Sequence, residues 1–191
     1  MIGSAQQRLT RQFSERLPDR KSVWGVYAVI VFLVYSWTLV TSFYKLPSWM
    51  FYLTIDQILS IYAYSFSLNL LESIFLLVGV LFLHFTIFLP LKNKDEFQAR
   101  SILIVFTLLV SSMTRLLLYK SYESSEAFVN GELTWWILTF FWVALFSIIM
   151  PKKKLFRSIF AGVAERVLIF LYIYIPLSFI SLIIVTLRNI N

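Results

Sequence analysis

Five polar side chains between residues 62 and 73 repeat at a helical spacing. On an α-helix they would lie within about 100° of one another and face one way. They are Tyr62, Ser65, Asn69, Glu72 and Ser73. A carboxylate beside hydroxyl and amide groups could contact an ion or a substrate, and such a stripe could line the mouth of an outward-facing cavity. The alternative is hydrogen bonding of small polar groups between neighbouring helices.

Glu72 and Arg115 are ionisable residues within otherwise apolar stretches, where such groups are rare and often functional. Both are expected near the outer ends of adjacent helices, so the sequence predicts a Glu72–Arg115 ion pair. The pair could contact a substrate or an ion. The favoured interpretation is that the pair locks two helices together, or that the two side chains reach separately to lipid headgroups. A third role is catalytic, with Glu72 or Asp56 as acid or base and Arg115 holding a lipid phosphate.

His84 is the only histidine, and the chain has no cysteine. A haem, a pigment or a proton relay at His84 is conceivable, but a hydrogen bond to a neighbouring helix is the favoured interpretation. No HExxH, paired-histidine, phosphate-binding glycine loop or GxSxG pattern is present. The sequence therefore predicts no metal site and no cofactor, and it favours a non-catalytic protein while leaving the enzyme question open.

Long apolar runs must position these residues. Hydrophobic residues make up 59% of the 191 residues and charged residues 14%, whereas soluble domains carry about 25% charged residues. A run of about 20 apolar residues spans the ~30 Å hydrocarbon layer as a helix. The sequence therefore predicts an all-α, multi-pass membrane bundle with about five transmembrane helices, at residues 23–43, 70–91, 101–119, 133–150 and 167–187.

The basic residues predict an orientation. With the N-terminus in the cytoplasm, the inner segments hold 13 of the 17 lysines and arginines and the outer segments hold Lys45, Lys120 and Arg188. This distribution follows the positive-inside rule. Five spans then place the C-terminus on the opposite side of the membrane.

Three segments lie outside this simple scheme. Residues 1–22 form a basic N-terminal segment that is either an amphipathic helix or a tail, and residues 23–191 form a single transmembrane domain. Residues 46–69 are too apolar for a loop, and we expect an interfacial or re-entrant helix there, starting near Pro47, with a sixth span as the alternative. Residues 155–166 are predicted to be an inner interfacial helix that bends at Gly162.

The net charge of +7 sits beside apolar runs, which favours anionic lipid headgroups over nucleic acid as the partner. A patch at the inner face is predicted to bind such headgroups. It comprises Lys152, Lys153, Lys154, Arg157 and Arg166.

Three functions fit these patterns. The first is a non-catalytic subunit or scaffold of a membrane complex, with other chains or copies of itself as partners. The second is a homo-oligomeric channel or small transporter whose outer vestibule is lined by the polar stripe of residues 62–73. The third is a membrane enzyme acting on a lipid substrate.

Overall fold

Five long helices make up the chain in the computed structural model, which describes residues 18–88, 94–118 and 125–190. All five are long and apolar enough to cross a membrane, and no β-strand occurs in these ranges. The all-α prediction is confirmed, while most of the predicted N-terminal segment (1–17) lies outside the described residues. The helices are α1 (Arg20–Tyr52), α2 (Ile55–Leu83), α3 (Lys94–Leu117), α4 (Ser125–Ile149) and α5 (Lys154–Ile190).

Helix α1 is the centre of the bundle. Every residue from Gly25 to Val31 is buried, so this part of the helix is covered on all sides. A helix that is apolar all round belongs in a core. Helices α2, α3 and α5 pack around it, and the aliphatic and aromatic side chains of these four helices form one continuous core.

The prediction of a separate helix over residues 46–69 is wrong. Pro47 lies inside α1, which continues to Tyr52. The chain turns at Leu53 and Thr54, and the Thr54 amide donates to Gln57 Oε1 at 3.0 Å, satisfying one of the free amides at the start of α2. Helix α2 then continues past Asn69 without a break, so the segment is divided between two long helices and forms no sixth span.

Two short turns extend or connect these helices. A π-helical turn at His84–Phe88 follows α2, and a 3-10 turn at Met150–Lys152 joins α4 to α5. Residues 155–166 are the first part of α5 and no bend occurs at Gly162, so the prediction of a distinct interfacial helix is corrected. Pro176 lies within α5 and cannot donate to the carbonyl of Tyr172.

Contacts at the two ends fix the directions of the helices. Lys21 Nζ lies 3.1 Å from Glu165 Oε1, which places the start of α1 beside the first third of α5. At the other end, the hydroxyl of Tyr64 near the start of α2 donates to Asn189 Oδ1 near the end of α5 at 3.1 Å. We call the end that holds Lys21 and Glu165 the first end and the end that holds Asn189 the second end.

Helix α4 is peripheral. It packs chiefly on α3, and it exposes several large side chains, among them Ile137 (65%), Phe140 (59%) and Phe141 (59%). In a membrane such a surface would face lipid tails or another apolar helix.

Gly25 should be required for the close packing of α1. A Cβ atom there would displace the flexible end of the Gln98 side chain and lie only 3.2 Å from the Cβ of Ala164, whereas a Cβ at Gly79 meets nothing within 4 Å. We expect Gly25→Ala to lower the free energy of unfolding in detergent by about 1–3 kcal/mol, because it overpacks a tight contact. Gly79→Ala is the control and should be neutral or stabilising by up to about 1 kcal/mol. Equal effects of the two substitutions would contradict this assignment.

Candidate functional site

The predicted stripe on α2 is divided between two environments. Asn69 and Ser73 are buried, Tyr62 and Ser65 are half-buried, and Glu72 is exposed. Glu72 and Ser73 are adjacent, so their side chains leave the helix about 100° apart. The stripe therefore does not line one wet surface: part of it faces the bundle and Glu72 faces away.

The inward-facing groups bind to other helices. Thr38 on α1 donates to Asn69 Oδ1 at 3.1 Å. The hydroxyls of Tyr27 and Ser73 are 3.5 Å apart, and Ser73 also donates to the Leu70 carbonyl at 2.9 Å. This is the interhelical hydrogen bonding that the sequence offered as the alternative to a cavity.

Tyr35 extends this set of contacts to α5. Its hydroxyl donates to the carbonyl of Phe66 at 3.4 Å and is hydrogen-bonded to Ser178 Oγ. Its ring stacks on Tyr174 with centroids 4.6 Å apart. The hydroxyls of α1, α2 and α5 therefore bind one another inside the bundle. In contrast to these hydroxyls, the side-chain amide nitrogen Asn69 Nδ2 is buried without a hydrogen-bond partner among the described residues.

Glu72 lies deep along the bundle. Its neighbour Ser73 contacts Tyr27, and Asn69 binds Thr38. Tyr27 and Thr38 each lie at least six positions along α1, or about 9 Å, from the nearest charged residue of that helix. The expectation that Glu72 lies near the outer end of its helix came from starting that helix near residue 70. Because α2 starts at Ile55, Glu72 instead falls in its middle.

The surroundings of Glu72 are apolar. It lines a shallow hollow of about 690 Å³ on the outer side of α2. Phe75 and Leu68 beside it are 78% and 62% exposed. Among the described residues no lysine, arginine or histidine lies within ion-pair distance of Glu72. The hollow is lined by Leu68, Leu71, Glu72, Ile74, Phe75 and Val78.

The prediction of a Glu72–Arg115 pair is wrong. Arg115 Nη2 binds Glu132 Oε1 on α4, and its guanidinium lies 5.9 Å from the centroid of the Trp135 ring. Trp135 Nε1 donates to Ser111 Oγ at 3.0 Å. Glu132 belongs to α4 because this helix begins at Ser125, within the segment that the sequence assigned to a loop. Arg115 therefore joins α3 to α4.

A second ion pair was missed by the sequence analysis. Arg100, which the sequence assigned to an inner loop, is only 2% exposed. Its Nη2 lies 2.8 Å from Glu96 Oε2, and its Nε donates to the Ser147 carbonyl at 3.0 Å. The spacing of four residues between Glu96 and Arg100 is the signal that could have revealed it. A buried arginine with these partners joins α3 to the end of α4.

His84 is buried in the π-helical turn, where its ring packs edge-on against Phe97 with centroids 4.6 Å apart. No hydrogen bond of His84 occurs within the described residues, so the expected bond to a neighbouring helix is replaced by an aromatic contact. No group of three His, Cys, Asp or Glu side chains in the described ranges could hold a metal ion.

The predicted lipid patch is only partly contiguous. Lys152, Lys153 and Lys154 are exposed around the 3-10 turn, and Arg157 follows one turn into α5. Arg166 is nine residues beyond Arg157, which places it about 180° around the helix. Four of the five residues therefore share one region at the first end, and binding of anionic headgroups there stays a prediction.

A double-mutant cycle should separate the observed ion pair from the predicted one. We expect Arg115→Met and Glu132→Gln to show a coupling free energy of about 1–3 kcal/mol, because they remove one partly buried interaction. The cycle of Arg115→Met with Glu72→Gln should show no coupling beyond error. The measurement is the unfolding free energy in detergent micelles, and a large Arg115–Glu72 coupling would contradict the contacts described here.

The ionisable side chains of the helices differ in whether the same chain supplies an oppositely charged partner. Arg100 and Arg115 bind carboxylates and join helices, whereas Glu72 has no cationic partner among the described residues.

Comparisons with family models, with curated proteins and with solved structures found no match for this chain.

Proposed function

We propose that this chain is a subunit of a membrane complex, and that the face of α2 around Glu72 binds a transmembrane helix of another protein. The partner helix carries a basic side chain at the depth of Glu72. The observation that supports this function is an exposed carboxylate in the middle of an apolar helix, with no cation beside it among the described residues.

The physical reason is the free energy of a charged group in hydrocarbon. An ionised residue at the centre of a transmembrane helix costs about 2.5–3.5 kcal/mol on insertion scales. Glu72 lies too deep to reach headgroups with a side chain of three rotatable bonds. An ion pair with a second helix would offset this free energy, and the loss of Glu72 would then affect assembly rather than folding.

A partner of different sequence fits better than a second copy. Arg100 and Arg115, both on α3, bind Glu96 and Glu132 within the same chain. A second copy would therefore present no available basic residue to Glu72 at this depth from the described helices. The hollow around Glu72 has an apolar rim, which suits the packing of a helix surface around one central ion pair.

The other two functions have less support. The channel hypothesis needs the polar stripe as a vestibule lining, but Asn69 and Ser73 are buried among contacts with α1. The enzyme hypothesis needs Glu72 and Arg115 at one site, and Arg115 binds Glu132 instead.

A designed helix can test the proposal without knowledge of the natural partner. The probe is a leucine-rich transmembrane peptide with one central lysine, labelled for energy transfer and mixed with the labelled protein in phosphatidylcholine vesicles. We expect the lysine peptide to associate about tenfold more strongly than an all-leucine peptide, which corresponds to about 1.4 kcal/mol. Glu72→Gln should abolish this difference.

The controls separate assembly from folding. Glu72→Leu should leave the unfolding free energy of the isolated chain unchanged or higher, because a charged group is removed from an apolar surface. Phe128→Leu on the peripheral α4 keeps Glu72 intact and should bind the lysine peptide like the unaltered chain. The proposal fails if the lysine peptide shows no preference, or if chains cross-link to one another through the Glu72 face.

A further inference from the structure

A deep cleft of about 960 Å³ opens between the first parts of α1 and α5, away from Glu72. Its mouth holds Asp19, Lys21 and Glu165, at the first end of the bundle. Ligand sites in proteins commonly enclose about 300–1,000 Å³, so the cleft is at the upper end of this range. Its interior is lined mainly by Leu168, Leu171, Tyr172, Ile175 and Pro176.

The cleft changes from charged to apolar along its length. The lining of α5 extends from Ala161 to Pro176, and its charged residue, the exposed Glu165, lies 11 residues or about 16 Å along the helix from Pro176. Half of the ~30 Å hydrocarbon layer is about 15 Å. The apolar part of the cleft therefore matches the depth of one leaflet, with its charged mouth at the level of the headgroups.

Small residues keep the cleft open. The alanines at 161 and 164 on α5 line it and leave space that larger side chains would occupy, and Gly25 lines it where α1 packs closely against Gln98 and Ala164. Pro176 removes the amide that would bind the carbonyl of Tyr172, and both residues line the deep part. The shape therefore comes from four positions where the sequence lacks bulk or a donor.

The charges at the mouth indicate which headgroup fits. Two carboxylates, Asp19 and Glu165, lie with one ammonium group, that of Lys21. The side chains of the Lys21–Glu165 pair are 81% and 66% exposed, so both remain accessible to a ligand. Lys21 can bind a phosphate while the carboxylates bind a primary ammonium, an arrangement that an anionic headgroup without an ammonium could not satisfy.

We infer that this cleft binds a single phospholipid with an ethanolamine headgroup, one acyl chain lying between α1 and α5. Lys21 binds the phosphate, and Asp19 and Glu165 bind the ammonium. The site is independent of the partner-binding face of α2, because none of its lining residues belongs to that helix. It is also separate from the predicted anionic-lipid patch around Lys152–Arg157.

Native mass spectrometry can test the site. The protein is reconstituted in vesicles with equal amounts of phosphatidylethanolamine, phosphatidylcholine and phosphatidylglycerol and then extracted in mild detergent. We expect one retained phosphatidylethanolamine per chain. Ala161→Trp and Leu168→Trp fill the cleft and should each reduce retention about tenfold. Ile173→Trp, on an exposed position of α5 outside the cleft, is the matched control and should retain the lipid.

The headgroup assignment has its own test. Asp19→Asn combined with Glu165→Gln should shift the retained lipid from phosphatidylethanolamine towards phosphatidylglycerol, because Lys21 is then the one charge at the mouth. Photoactivatable phosphatidylethanolamine added to the unaltered protein should label Leu171 and Tyr172 in preference to Ile173. This experiment does not depend on whether a variant folds. Equal retention in the filled and control variants, or equal labelling at all three positions, would overturn the site.

Discussion

The burial of α1 on all sides is the constraint on which the other helices depend. In a membrane, lipid tails are as apolar as leucine, so apolar side chains alone give little preference for helix contact over lipid contact. Close approach and interhelical hydrogen bonds must supply that preference. Gly25 allows α1 to approach α3 and α5, and the hydroxyls of Tyr27 and Tyr35 bind Ser73 and Ser178 on the helices around it.

This use of polar groups explains how hydroxyl side chains are accommodated between the described helices. Each interhelical hydrogen bond places a hydroxyl where water would otherwise be needed, and the surrounding rings fill the remaining space. Tyr35, for example, lies between Phe66 and Tyr174 with stacked rings on both sides. A cleft remains open between α1 and α5, where alanines on α5 stand in place of larger residues.

The sequence predicted the fold class and the number of long apolar helices, because hydropathy reports directly on solvation by lipid. It failed on helix bounds, since a helix can continue beyond the hydrocarbon layer that hydropathy detects. Pro47 was interpreted as a helix start although a proline can also lie within a membrane helix. The wrong position expected for Glu72 along its helix followed from that error. So did the wrong ion-pair partner predicted for Arg115. The environment of Arg100 was missed because a charged residue beside an apolar run was assigned to solvent.

These errors show which question the sequence could not answer. Hydropathy and spacing identify polar residues within apolar helices, but they do not show whether the chain itself supplies a partner. Arg115 was a candidate and Arg100 was not, yet both have carboxylate partners on the same chain, which explains them as contacts that join helices. Water cannot solvate a group at the membrane centre, so a polar residue without an internal partner must be satisfied by another molecule. The partner helix that we propose for Glu72 would meet this requirement, since no cation lies beside this carboxylate among the described residues.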